Sequence, residues 1–275
     1  MRSKLLFQQK TGALIGLLLL FCAVVKAQTV LSSSLHSEKK YTARMAKRPI
    51  KVDGKLNEHD WKQAVLISNF EDIEGAAKPK PTFSTEVKMM WDSQYLYIGA
   101  VLEEPHLWGT LKKHDDIIYR DHDFEVFIDP MGDGEQYFEI EINVLGTIMD
   151  LFMNKPYKKG GTFDLGWNTT GILSKVIANG TINDNSDIDS GWTVEIAIPF
   201  KAISRTQRAA TPSLLNPWRI NFSRVQWTLE SDGKSYRKKL NQNNNPISEH
   251  NWVWNPTGVI DMHLPTKWGY LYFKN

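Results

Sequence analysis

Short stretches in which apolar and polar residues trade places at every second position recur along this chain, and they restrict it to strands half buried in a sheet. In Phe124-Glu125-Val126-Phe127-Ile128-Asp129-Pro130 the alternation puts Phe124, Val126 and Ile128 on one face and Glu125, Phe127 and Asp129 on the other. Phe138, Ile140 and Ile142 likewise oppose Tyr137, Glu139, Glu141 and Asn143, and Trp192, Val194, Ile196 and Ile198 oppose Thr193, Glu195 and Ala197. A slip of one residue would carry every apolar side chain to the wrong face, so each run also specifies its register. Further strands are expected at about 85–91, 95–102, 147–152, 172–177, 219–226 and 268–273, and one short helix at about 57–64. Turn signals at Asp92-Ser93-Gln94, Pro130-Met131-Gly132-Asp133-Gly134, Lys159-Gly160-Gly161 and Ser190-Gly191 separate them. Many short strands without intervening amphipathic helices predict an all-β fold, an antiparallel β-sandwich.

The amino-terminal residues read as an export signal. Arg2, Lys4 and Lys10 precede the apolar run Gly12 to Val25, and small Ala27 closes it, so cleavage is expected near Ala27. Residues 1–27 are therefore read as signal, 28–45 as a flexible lead-in and 46–275 as one domain, secreted or periplasmic, with no membrane span after signal removal. A retained amino-terminal anchor is the competing reading. Cys22, the single cysteine, falls in the signal, so the mature chain is expected to lack disulfides, thiolate metal sites and cysteine nucleophiles. With 33 Lys and Arg against 31 Asp and Glu, the net charge of +2 gives no reason to expect nucleic acid or anionic lipid as a partner. The polar stretch 232–251, with its amide run Asn241 to Asn245, reads as a functional or disordered loop.

An aromatic ring beside a carboxylate on one sheet face suits a neutral polyhydroxylated ligand. The ring covers the apolar C–H face of a sugar while the carboxylate accepts its hydroxyl protons. Tyr119, just ahead of the acidic run at 120–123, is a candidate wall of such a site, and Trp252 and Trp254 fit either a stacking platform or the core. Trp61, Trp192 and Trp268 sit at apolar positions and are read as core. Glu125, Glu139, Glu141 and Glu195 face either a ligand or solvent; a glycosidase would need two of them at a fixed separation, one with a raised pKa. Asp129 with Asp133, and the run Asn183 to Asp189, are solvated turns or oxygen ligands for Ca²⁺, and neither has EF-hand spacing. No histidine spacing fits a zinc hydrolase. Met262 and His263 are adjacent and cannot easily reach opposite faces of one haem; a pair such as Met90 with a distant histidine stays open, and nothing in the sequence singles it out.

Four segments in register carry a family resemblance: Ile50-Lys51-Val52-Asp53-Gly54-Lys55-Leu56-Asn57-Glu58-His59-Asp60-Trp61, Trp91-Asp92-Ser93-Gln94-Tyr95-Leu96-Tyr97-Ile98, the Phe124 to Pro130 strand, and Gly191-Trp192-Thr193-Val194-Glu195-Ile196-Ala197-Ile198-Pro199. From about Ala46 to Phe273 the chain resembles the family 9 carbohydrate-binding modules, and its Asn251 to Trp254, Met262-His263 and Trp268-Gly269 segments are similar to the ending of the stand-alone exported type. The resemblance implies a sandwich related to the DOMON fold that binds an oligosaccharide or polysaccharide at one sheet face and does no chemistry of its own. It requires no cofactor, offers structural calcium as an option, and implies exported glycanases as partners in polysaccharide breakdown or uptake. Residue by residue, the family's acidic ligand falls on Glu125, a clamp aromatic on Tyr119, and a basic ligand residue of the best-known modules at Glu141; the second clamp tryptophan has its nearest substitutes in Trp252 and Trp254. A haem-binding electron carrier of the DOMON type and a glycosidase with paired carboxylates are the competing functions.

Overall fold

The computed structural model describes residues 38–275 apart from 205–208, 214 and 232. The expected export signal, Cys22 and the lead-in as far as residue 37 lie outside the described residues. In chain order the elements are β1 (Lys40–Met45), α1 (His59–Gln63), β2 (Glu71–Asp72), β3 (Thr85–Trp91), β4 (Tyr95–Leu102), β5 (Asp123–Asp129), β6 (Tyr137–Asn143), β7 (Ile148–Met153), β8 (Phe163–Asp164), β9 (Leu173–Asn179), β10 (Gly191–Pro199), β11 (Trp218–Gln226), β12 (Leu229–Ser231), β13 (Tyr236–Lys238), β14 (His250–Val253) and β15 (Gly269–Lys274). Hydrogen-bonded neighbours follow the order β8-β7-β6-β5-β11-β15-β1-β3-β4-β10-β9, with β14 joining β11 to β2 and β12–β13 standing apart as a hairpin.

This sheet curls on itself into a sandwich. Phe124, Val126 and Ile128 of β5 and Phe138, Ile140 and Ile142 of β6 share one core with Ile98 and Ala100 of β4 and Val194 and Ile196 of β10. Two smaller clusters cover the outer faces. Phe127, Tyr137, Met149, Leu151, Val253 and Trp268 pack outside β5 to β7, and Trp61, Met90, Tyr97 and Ala197 pack outside β3, β4 and β10. Trp61, Trp192 and Trp268 are all buried, as their apolar positions imply.

Two segments depart from the sequence reading. Within the stretch 28–45 read as lead-in, Lys40–Met45 is a strand, and it is the one that breaks the antiparallel pattern, running parallel to both β15 and β3. Only Tyr41 and Ala43 carry its inward alternation, a signal too brief to stand out. Tyr41 docks it, donating from its hydroxyl to Val65 O at 2.7 Å and accepting Met89 N–H at 2.9 Å. The polar stretch 232–251 also has local order: Asn241 Oδ1 accepts N–H from Asn243 and Asn245, closing a turn flanked by the Leu240–Pro246 bridge.

Glu195 shows how the distant motifs are tied together. It is buried in β10; Oε2 accepts the N–H groups of Asp53 and Gly54 at 2.9 and 2.8 Å, and Oε1 accepts Trp61 Nε1–H at 2.9 Å. Gly54 occupies φ +83°, and a Cβ there would stand 2.9 Å from Ile177 Cγ1, so the turn depends on glycine. Glu195→Ala would orphan three donors, each costing about 1–3 kcal/mol if it stays buried. Urea unfolding should show a loss of about 3 kcal/mol or more, with Glu195→Gln losing less. Unchanged stability in the alanine variant would show that the carboxylate is not what holds this segment.

Candidate functional site

The pairing of β5 with β6 builds the floor of a cleft of about 560 Å³. Directly opposed positions share a face, so Glu125 stands beside Glu141 and Phe127 beside Glu139. β7 adds Met149 and Leu151 opposite Glu141 and Glu139, and β11 sets Ser223 opposite Glu125. Around this floor stand Tyr119, Tyr157, Phe163, Ile260 and His263. Three of those rings are well exposed: Tyr119 by 41%, Tyr157 by 44% and Phe163 by 51%.

Tyr119 is held by its backbone. Its N–H donates to Glu141 Oε2 at 2.9 Å, its carbonyl accepts Trp227 Nε1–H at 2.9 Å, and its neighbour Ile118 is buried in the outer cluster. The ring is thereby left free at the cleft edge. Tyr157 opens a short 3₁₀ turn between β7 and β8, and its ring meets His263 edge to face at 4.6 Å. Sequence reading missed Tyr157, Phe163 and His263 as wall residues. Their partners across the cleft are distant in sequence, so no local pattern marks them.

The floor is unusual electrostatically. Burial pushes Glu125 up to about 7 and Glu139 up to about 8, and it drives Asp123 and Glu141 well above the ordinary carboxyl range, with the neighbouring acids adding to the rise. Burial moves His263 the other way, down to about 4, so its imidazole is neutral near pH 7. Burial also raises the Tyr137 pKa; its hydroxyl lies 3.1 Å from His263 Nδ1, and the other ring nitrogen lies 3.7 Å from Glu139 Oε2.

Two groups of side chains have the oxygens and nitrogens to hold a metal ion. Asp123, Glu125 and Glu141 each offer an oxygen within 4.8 Å of the others, and His114, Asp115 and Asp150 form a second set nearer the surface. The turns considered for Ca²⁺ have other engagements. Asp129 accepts N–H from Met131, Gly132 and Gly134, and Asp189 accepts N–H from Leu107 and Thr181. As to haem ligands, Met90 packs with Trp61, Tyr97 and Ala197 on the opposite outer face, while Met262 and His263 line the cleft.

Of the residues singled out in the sequence, Tyr119, Glu125 and Glu141 meet in the cleft and Trp252 and Trp254 do not join them. Trp252, 4% exposed, turns toward a second hollow of about 210 Å³, where its ring meets Phe83 edge-on and the Arg224 guanidinium at 5.3 Å. Trp254, 3% exposed, lies past the end of β14 and turns into the main core against Phe222. A Cβ at position 269 would stand 2.5 Å from its Cζ3, which explains the glycine after Trp268. On the cleft side this motif supplies Asn251, which lines the cleft, and Val253, which packs in the cluster beneath it.

These shifts set a pH dependence. Above about pH 4.5 the folded protein holds protons that the unfolded chain has released, on Glu125 up to about 7 and on Glu139 up to about 8, so these two acids lower stability as pH rises through that range. His263 opposes them below its ordinary value of 6.5, because the unfolded chain then binds the extra proton. The clean window is therefore pH 6.5 to 8, where the thermal midpoint of chelator-treated protein should fall with rising pH. Glu139→Gln should flatten that slope in melts followed by circular dichroism, and a slope unchanged by the substitution would remove Glu139 as its source.

The chain matches the family model described as carbohydrate family 9 binding domain-like over residues 52–252. No curated protein matches it in sequence. Among solved structures, a candidate carbohydrate-binding protein from Bacteroides uniformis is similar with a TM-score of 0.59 at 14% identity, covering 86% of this chain and 100% of that one. A family 9 carbohydrate-binding module from Caldicellulosiruptor kristjanssonii in complex with cellotriose gives 0.54 at 15% identity, covering 86% and 94%. The same module in complex with glucose gives 0.51 at 15% identity over 86% and 96%. These likenesses establish a common sandwich fold. The sequence match over residues 52–252 goes further: this chain belongs to the carbohydrate family 9 binding domain-like family.

Proposed function

We propose that the cleft over β5 and β6 binds carbohydrate without transforming it, in an exported chain that supports the breakdown or uptake of a polysaccharide alongside glycanases. The observation that carries this reading is the pairing of half-exposed rings at the rim, Tyr119, Tyr157 and Phe163, with carboxyl groups on the floor. The rings offer apolar faces to sugar C–H groups; a carboxyl accepts a hydroxyl proton when ionised and both donates and accepts when protonated. The solved family 9 module complexes with cellotriose and glucose support the same ligand class.

Raised carboxyl pKa values also belong to glycosidases, and this is the one observation that favours an enzyme. The arrangement argues against it. A glycosidase places its two carboxyls on either side of the scissile bond. Glu125, Glu139 and Glu141 project from paired positions of one sheet face and approach a ligand from the same side.

Titration calorimetry with the preferred oligosaccharide from a glycan array should show Tyr119→Ala and Tyr157→Ala each losing about 2 kcal/mol, roughly thirtyfold in affinity. Trp254→Ala should leave affinity alone while lowering the melting temperature, because it empties a core site. Full affinity in both tyrosine variants would place the ligand elsewhere. Turnover of a chromogenic glycoside that disappears in Glu125→Gln would replace binding with catalysis.

A further inference from the structure

The carboxylates under the cleft have too few partners for groups so deeply buried. Asp123, Glu125 and Glu141 are each at most 4% exposed. Among the described residues, no Lys or Arg forms an ion pair with any of them, whereas buried Glu104 is paired with Arg224 at 3.0 Å. Asp123 uses Oδ1 to accept Val225 N–H at 3.1 Å, and its Oδ2 is buried with no hydrogen-bond partner. Ser223, fully buried and directly opposite Glu125, turns its hydroxyl to the same face, where it lies beside the Glu125 carboxyl and brings no positive charge. Buried polar atoms are seldom left as Asp123 Oδ2 is, and three buried carboxyl groups gathered without a cation indicate a missing positive centre.

We propose that Asp123, Glu125 and Glu141 hold one hard divalent cation, of the size of Ca²⁺, beneath the cleft, with the Ser223 hydroxyl beside it. Three oxygens no more than 4.8 Å apart fit around a point at most about 2.8 Å from each, and a small inward turn of the glutamates brings this to the 2.3–2.6 Å of Ca–O bonds. Mg²⁺, which demands about 2.1 Å and strict octahedral geometry, fits such a triangle less well. An amine on a ligand would carry the same charge, but Asp123 is not part of the cleft lining and is fully buried, so a bare ion reaches all three groups where a sugar amine does not. Ca²⁺ takes six to eight oxygens, and the positions left open face the cleft. There, resting on the carbohydrate reading above, they would be filled by neighbouring hydroxyls of the sugar.

The test is calorimetric titration of chelator-treated protein with CaCl₂ and, separately, MgCl₂. One Ca²⁺ per chain is expected, bound more tightly than Mg²⁺. Glu141→Gln and Asp123→Asn should each weaken Ca²⁺ at least tenfold while keeping the wild-type circular dichroism spectrum, and Asp115→Asn should leave it unchanged. Ca²⁺ binding that survives Glu141→Gln and disappears in Asp115→Asn overturns the assignment in favour of the His114–Asp115–Asp150 cluster, and the absence of any Ca²⁺ binding overturns it outright. Glucosamine bound by cation-free protein and lost in Glu141→Gln makes the occupant an amine and also overturns it. Sugar binding should fall in EDTA and return with CaCl₂; equal binding in EDTA overturns the bridging role. Stoichiometric Ca²⁺ sensitive to Glu141→Gln, in a protein that binds no glycan, upholds the cation site and removes the carbohydrate reading instead.

Discussion

The register between β5 and β6 governs what the rest of the molecule can present. On the inner face it places Phe124, Val126 and Ile128 beside Ile142, Ile140 and Phe138, and burying each such side chain contributes about 1.5–3 kcal/mol. A slip by one residue would surrender all of that. The outer face must then accept Glu125 against Glu141 and Glu139 beside Phe127, although like charges on directly opposed positions destabilise a sheet. The core face sets the pairing, and the cleft face inherits a cluster of acids that solvent barely reaches.

The segment leading into β5 is divided by the same period of two. Asp121 accepts Thr110 N–H and Leu111 N–H at 2.7 and 2.8 Å and receives Asn143 Nδ2–H at 3.0 Å, fixing the loop that precedes Tyr119. His122 faces the other way, with Nδ1 3.2 Å from Glu104 and Nε2 3.1 Å from the Trp227 carbonyl. Asp123 returns to the cleft side, beneath Glu125. A four-residue charged run that looks like a single patch therefore serves separate places in the fold: Arg120 lines the cleft, Asp121 fixes a loop, His122 turns to Glu104, and Asp123 lies beneath the cleft floor.

Legibility in the sequence follows how local the determining contacts are. β3 and β4 begin and end where alternation and the Asp92-Ser93-Gln94 turn place them, because each strand carries its own pattern and the turn is closed locally by Asp92 accepting Gln94 N–H and Tyr95 N–H. β1 was illegible because its place depends on β15, more than two hundred residues away. The candidate site divides in the same way. Glu125 and Glu141 could be read from strand alternation and Tyr119 from its position before β5, whereas Tyr157 and His263 reach the cleft only through the fold. Trp252 and Trp254, two apart, seemed to share a strand face; the strand ends between them, and the second ring turns into the core.

What separates a structural acid from a functional one here is the number of N–H groups aimed at it. Glu195 alternates in β10 just as Glu125 does in β5, and both are buried. Glu195 has three donors, Asp129 has the N–H groups of Met131, Gly132 and Gly134, and Asp189 has those of Leu107 and Thr181. Those carboxylates are satisfied by the chain and serve as fasteners for turns. Glu141 receives one N–H, from Tyr119, Asp123 receives one, from Val225, and the desolvation that raises the whole group is left uncompensated. A fold that supplies two or three N–H donors to Glu195, Asp129 and Asp189 gives Asp123 and Glu141 one each. These oxygens lie on and beneath the floor of an open cleft rimmed by rings, which is why the proposed ligand and cation are sought there rather than at the fastened acids.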